Sequence, residues 1–489
     1  MDWGSRITYF GTTMLKDKEV SFGIKDNDRI GHLSVMGNVG SGRTELLAHM
    51  CLQDIERGAG TVILDADGHF SQLVLERMDT AAHDRLIYLD PSDGEYPYSW
   101  NPLDDFRALP GEEAREFLAL ALASMYRIIL SPLSTLLAER LLANKESSFV
   151  TVYDLVTDAD ARKKEFGDDA AAQAAFEKLL SERPDDTELI SEHGRYVAKD
   201  TLTRNLLGQT VSKFSLEAVA AGGILIADLS RIRMFPTRIA PVVRVIMHAA
   251  RARARAAGTP ILVYLHDTLR NLSEDDVENL FTDRSLALTV SDATVTETER
   301  PLREKALSRC LSLISLSPSA FDLPFAERLF YPYIESDALT KLEKGEFAIA
   351  LAIDSVRSRP FFAQALPLAE RRGGSHQDLI AASRDRYTTP RSKVDQLFKK
   401  KDEGEENQKP KGKGGDTGSF SDTFRSIFSK KASTSPAQPG IGGTANDAAQ
   451  ALTGASAKPP SRKEPPLPKP TEIPEDELKR MLYVTPVGA

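Results

Sequence analysis

The string GNVGSGRT, Gly37 to Thr44, constrains this chain more than any other, because it stands between a short apolar run, HLSVM, and the helical pattern ELLAHMCLQDIERG. A strand, a glycine-rich turn and a helix N-terminus are the parts of a phosphate cradle: glycines let backbone N–H groups converge on the phosphates, and the helix dipole favours their charge. Gly37, Asn38, Val39, Gly40, Ser41, Gly42, Arg43 and Thr44 are therefore expected to hold a nucleotide, ATP, with the Thr44 hydroxyl available to Mg2+. The pattern asks for lysine where Arg43 stands. Lysine reaches the β- and γ-phosphates as a compact charge, whereas the guanidinium is a longer, planar fork. Binding is expected to survive that exchange, and fast hydrolysis is not.

The strand ahead of the loop is one of many. TVILD ending at Asp65, LIYLD at Asp90, ILIADL at Leu229, ILVYL at Leu265, LALTV at Val290, LSLISL at Leu316 and FAIALA at Ala352 are short, apolar and separated by helical patterns. Continuous apolar strands alternating with helices predict an α/β fold with a mainly parallel sheet covered on both faces. The strand signal lapses over 111–205, where Ala, Leu, Glu and Lys dominate, so the expected organisation is a core in two parts, 1–110 and 206–372, split by an all-α insertion. C-terminal helices follow over 373–400. Beyond 401, stretches such as KPKGKGG and KPPSRKEPPLPKP cannot bury enough apolar surface to fold, which predicts a disordered linker, with a short docking helix at PEDELKRMLYVTP as one reading of its end.

The net charge of −9 argues against a generally cationic nucleic-acid coat and confines any DNA contact to a local surface. The two cysteines, Cys51 and Cys310, lie in apolar segments without CxxC spacing, which suggests neither a disulfide framework nor a zinc site and fits a reducing, cytoplasmic compartment.

The segment from ITYFGTTML to TVILDADG resembles the opening of the ATPase core of the HerA/FtsK superfamily, in particular the TraG and TraD kind of type IV secretion coupling protein. Four strings support this in order: LIYLDPSDGEYPYSWNPLD, TLTRNLLGQ, FSLEAVAAGGILIADLSR and SRPFFAQALP. The resemblance implies a RecA-like P-loop NTPase core, ATP and magnesium, an oligomeric ring, hexameric in the family, and DNA in a central pore. It also implies a place at the inner face of the cell membrane, reached through other proteins.

Several positions depart from the family. After ILVYL the chain reads HDTLRN, where relatives show DEFQN. If Asn271 keeps its place, His266 stands where an Asp organises magnesium and Asp267 where a Glu positions water; a one-residue slip would instead put Asp267, as metal ligand, in the Asp place. Asp292 and Ala293 stand where relatives sense the γ-phosphate, and DADGH keeps only Asp65 and Gly68 of the usual turn. His69, His266 and Asp267 lack the spacing of a metal site. Arg244, Arg251 and Arg255 share a helical face, which reads as a solvated surface or, alternatively, as DNA-facing. Arg231, Arg233 and Arg238 follow a strand end, from where a ring subunit could offer a cationic finger, or simply solvate a loop. Concerted change around one pocket predicts a degenerate ATPase-like subunit of a conjugative or type IV secretion-like DNA-transfer apparatus. The rival expectations are an active translocase with drifted motifs and a non-catalytic adaptor that recruits an unknown partner through its tail.

Overall fold

The computed structural model describes residues 4–293, 299–371 and 375–406; the predicted linker and terminal helix lie outside the described residues beyond 406. The chain divides into two units at Leu397, and of the second only helical residues as far as Glu406 are described.

The apolar runs become strands because each can be buried on both faces. β1 (Ile7–Leu15) and β2 (Lys18–Lys25) form a hairpin; then come a one-turn helix α1 (Asp26–Arg29), β3 (Leu33–Met36), α2 (Arg43–Glu56), β4 (Thr61–Asp65), α3 (His69–Leu75) and β5 (Leu86–Leu89). After the helical segment follow β6 (Ile224–Asp228), β7 (Ile261–His266), β8 (Leu286–Asp292), β9 (Ser312–Ser315) and β10 (Glu346–Ala350). A small hairpin, β11 (Ala352–Ile353) with β12 (Val356–Arg357), stands apart, and β13 (Phe361–Ala365) completes the main sheet. That sheet has eleven strands in the order β2-β1-β13-β10-β9-β3-β8-β7-β4-β6-β5. From β9 to β5 every pairing is parallel, while β10, β13, β1 and β2 add an antiparallel wing. Each of the eight apolar runs is a strand of the sheet; the wing's outer strands are less apolar and were not anticipated as strands.

Side chains alternate across the sheet and make two cores. Along β7, Ile261, Val263 and Leu265 join a core with Trp100, Leu118 and Ile246, while Leu262 and Tyr264 join Leu46, Met50 and Phe70 from α2 and α3. The first core is shared with the helices that run from Leu103–Phe106 to Thr201–Leu207. Helix Pro236–Ala257 lies on that face, so Arg244 and Arg251 do not coat an outer surface as expected. Arg244 is buried and donates to the carbonyls of Asn271 and Ser124 at 2.9 and 2.8 Å; Arg251 meets Asp283 at 2.6 Å over the Phe117 ring. Arg255 is half exposed and pairs with Glu113. Heptad-like spacing places these residues on one face, but whether that face is inner or outer depends on what packs against it.

A buried polar network ties the wing to the parallel part. Arg29 Nη1 donates to Asp54 Oδ2 at 2.5 Å, and its Nη2 donates to Tyr264 at 3.0 Å and to Thr289 at 3.3 Å. Tyr264 donates in turn to Asp54, and Arg57 pairs with the same carboxylate at 2.5 Å. Cys51 and Cys310 are both buried free thiols. Among the described residues no helix is long and apolar enough to cross a membrane.

Candidate functional site

Parallel strands deliver their carboxyl ends to one edge, and the site is built there. β3 ends at Met36, and the chain turns through Gly37–Gly42 into α2. Gly40 and Gly42 hold φ of +85° and +98°, which only glycine adopts without strain. The loop is pinned at its base and its side: Asn38 N donates to Ser317 O at 2.9 Å, Ser41 N to Asn38 O at 3.2 Å, and Gly345 N to Ser41 O at 2.9 Å. Thr44 is half buried in the first turn of α2.

Arg43 opens that helix and is 6% exposed. Its Nη1 and Nη2 donate to Oδ1 and Oδ2 of Asp267, each at 3.1 Å, and Nη1 also donates to Ser291 Oγ at 2.9 Å. Fork and carboxylate therefore face each other in the bidentate arrangement that suits guanidinium and that lysine cannot reproduce. Burial pushes the Asp267 carboxyl up, but Arg43 together with Ala293 N–H, which donates at 2.8 Å, holds it below the usual carboxylate range.

β7 runs through His266, opposite Asp65 on one neighbour and Ser291 on the other. Asp267 then leaves the strand with φ of +53°, unusual for a non-glycine residue, and donates its N–H to Ser291 O at 2.8 Å. That turn aims its carboxylate at Arg43. His266 is fully buried against Phe70, with ring centroids 5.4 Å apart, and neither ring nitrogen has a hydrogen-bond partner. Burial, and then the nearby Arg43, lower its pKa to about 3, so the ring is neutral.

Asp65 closes β4. Its oxygens accept from Asp67 N at 3.0 Å and Ser71 N at 2.7 Å, and burial outweighs those donors to raise its pKa to about 6. Gly68, with φ of +85°, makes the following turn. Asp292 closes β8 beside Met36 and lines a small cavity with Ser34, Val290, Arg303 and Cys310, on the face of the sheet opposite to Ser291. Burial, and then the neighbouring Asp267, push its pKa up to about 7 against Arg303.

A phosphate fits the loop, whose glycines supply the open backbone it needs. At Asp267 a metal would have to compete with Arg43, which donates to both carboxylate oxygens. Among the described residues no cluster of three or more His, Cys, Asp or Glu could hold one. The structure thus brings Arg43, His266 and Asp267 together with the loop, places Asp292 behind them, and adds Ser291, which the sequence did not signal. The finger candidates Arg231, Arg233 and Arg238 each meet a carboxylate of this chain, at Asp90, Asp67 and Asp200 respectively.

No family model and no curated protein sequence matches the chain. Solved structures do. The bacterial conjugative coupling protein TrwBΔN70, in a trigonal form with sulphate, gives a TM-score of 0.50 at 13% identity over 73% of this chain and 90% of that one. TrwB in complex with the non-hydrolysable ATP analogue ADPNP gives 0.50 at 15% identity over 76% and 96%. VirB4 of Thermoanaerobacter pseudethanolicus gives 0.43 at 12% identity over 71% and 91%. At such identities it is the fold alone that is shared, and the mainly parallel α/β fold expected from the sequence is the one this chain has.

Proposed function

We propose that the chain is a degenerate ATPase-like subunit of a conjugative or type IV secretion-like DNA-transfer apparatus, able to hold a nucleotide in its Gly37–Thr44 loop and slow or unable to hydrolyse it. The bidentate pair between Arg43 and Asp267 carries this reading. Hydrolysis needs a cation on the transferred phosphoryl group and a carboxylate that organises the attack, and here those two groups neutralise each other. Asp292, at the end of β8, has its pKa pushed up to about 7 and lies on the face of the sheet opposite to Ser291. His266 is neutral and buried, so it brings no charge to a phosphate.

Similarity of fold to TrwB supports assembly of this subunit in a ring, with DNA at its centre, at the cytoplasmic face of a membrane and held there by other proteins. Residues 1–110 and 206–372 would form the ring-building core and 111–205 its helical insertion. The chain's own residues bind and orient the nucleotide: the loop amides take the phosphates and the start of α2 adds its dipole.

The test is nucleotide binding by calorimetry and phosphate release with and without single-stranded DNA. Binding that Gly42→Val abolishes, with turnover far below that of a working translocase, is expected. DNA-stimulated hydrolysis lost in Arg43→Ala would overturn the degenerate reading in favour of an active motor. An absence of nucleotide binding in the unmodified chain would remove the nucleotide from the proposal.

A further inference from the structure

Lys344 and Gly345 lie in the turn ahead of β10, and that turn rests on the phosphate loop. Gly345 N donates to Ser41 O at 2.9 Å, and a Cβ on Gly42 would come within 3.1 Å of Gly345 N and 3.7 Å of Lys344 Cγ. From this base the Lys344 ammonium reaches Glu45 Oε1, in the first turn of α2, at 2.9 Å. The mouth of the loop therefore has two cations of different standing. Arg43 is buried and held by three hydrogen bonds to Asp267 and Ser291. Lys344 is 67% exposed on a flexible stem and has one partner, a carboxylate that is itself 39% exposed.

The loop and the end of β7 beside it also carry polar side chains without a hydrogen-bond partner. Both ring nitrogens of His266, beside Arg43 and Asp267, and Ser41 Oγ, in the loop, are buried without a hydrogen bond, each in a residue more than nine-tenths buried. We infer that Lys344 is the phosphate-binding cation of this site, supplied by a separate turn in place of the side chain at position 43. The inference deepens the proposed function and rests on its nucleotide-binding reading. The lysine stem from Cγ to Nζ spans about 4 Å, so pivoting at a Cγ already against Gly42 carries the ammonium from Glu45 across the loop mouth. A compact ammonium with three donors suits an oxygen-rich polyphosphate, and a polyphosphate carries more charge than the single carboxylate of Glu45. Glu45 parks the lysine in the free protein and competes with the ligand for it.

Calorimetric titration of the full chain with ADPNP and with adenosine tests this. Lys344→Ala is expected to weaken ADPNP binding about tenfold and leave adenosine unchanged, because the lost contact is to phosphate. Lys344→Arg, which keeps the charge, is expected to stay within about threefold of the unmodified protein, and Glu45→Gln to tighten ADPNP by a similar factor. Thermal melts of all variants show whether the turn still packs. Unchanged ADPNP affinity in Lys344→Ala, or an equal loss for adenosine, overturns the inference and leaves the nucleotide reading intact. Failure of the unmodified chain to bind ADPNP overturns both.

Discussion

Arg43 and Asp267 are 224 positions apart in the chain and meet through two hydrogen bonds of equal length, 3.1 Å each. Two independent local facts make this contact. Arg43 is the first residue of α2, and Asp267 turns out of β7 with a positive φ. Neither side chain reaches the other by rotamer choice alone; the strand order, with β8 between β3 and β7, brings Ser291 in as the third member.

Because the pair is largely buried, each partner should be costly to remove alone and the two should be coupled. Arg43→Ala and Asp267→Asn are each expected to destabilise by about 1–3 kcal/mol, less than a fully buried pair because Asp267 keeps 22% exposure. The double variant should cost clearly less than their sum, which urea unfolding of the four proteins measures. Asp267→Asn also releases the guanidinium, so nucleotide should bind that variant more tightly than the unmodified chain. Additive losses with no change in nucleotide affinity would show that the pair restrains nothing.

The network under the wing makes a larger demand. Asp54 is fully buried and accepts from Arg29, Arg57, Tyr264 and Thr8. Asp54→Ala leaves two guanidinium groups facing a cavity, one of them buried like the aspartate itself. A loss of about 3–5 kcal/mol is expected. Chemical denaturation reads it, and a change below about 1 kcal/mol would mean that water replaces the carboxylate at little cost.

The eight apolar runs that became strands were legible because parallel strands buried on both faces leave an unbroken apolar signature, and the loop from Gly37 to Thr44 because its glycines are fixed by backbone geometry. The wing was not. Lys18–Lys25 begins with exposed residues and becomes buried only near Phe22, since a sheet edge has one covered face. That Asp267 turns toward Arg43 was not legible, since it depends on a positive φ at one residue. Lys344 was invisible: its role depends on a turn three hundred residues from the loop it touches, and no local pattern marks it. Arg244 was misjudged as surface because periodicity reports a face and not its neighbour.

Asp292 makes a prediction in pH. Its folded pKa, about 7, lies above the unfolded value of 3.8. The native state therefore holds a proton that the unfolded chain has released, so its contribution to stability is complete below pH 3.8 and is lost as pH rises through about 7. Asp292→Asn cannot ionise and should escape that loss. Its melting temperature relative to the unmodified protein should rise between pH 5 and pH 8, by an amount worth about 1–3 kcal/mol. A difference that is flat with pH would place the carboxyl in an ordinary, ionised environment.

Installing the residues that the resemblance leads one to expect separates charge from architecture. Arg43→Lys exchanges the fork for a point charge and breaks the bidentate hold on Asp267, while His266→Asp supplies the missing carboxylate and Asp267→Glu lengthens the one already present. Phosphate release by the triple variant is expected to rise above that of the unmodified chain yet stay well short of a working translocase, for two structural reasons. An Asp at 266 inherits a fully buried place against Phe70, where ionisation is penalised, so it stays partly protonated near neutral pH. A residue at 267 inherits a backbone with φ of +53°, which a longer side chain does not relieve. Groups that act as a unit in phosphoryl transfer do not contribute one at a time, so repairing three positions and leaving the others recovers only part of the rate. Steady-state phosphate release with single-stranded DNA present decides it. Equal rates before and after repair would move the block elsewhere than Arg43 and His266, and a fully restored rate would show that charge alone, and not the architecture around it, silences this site.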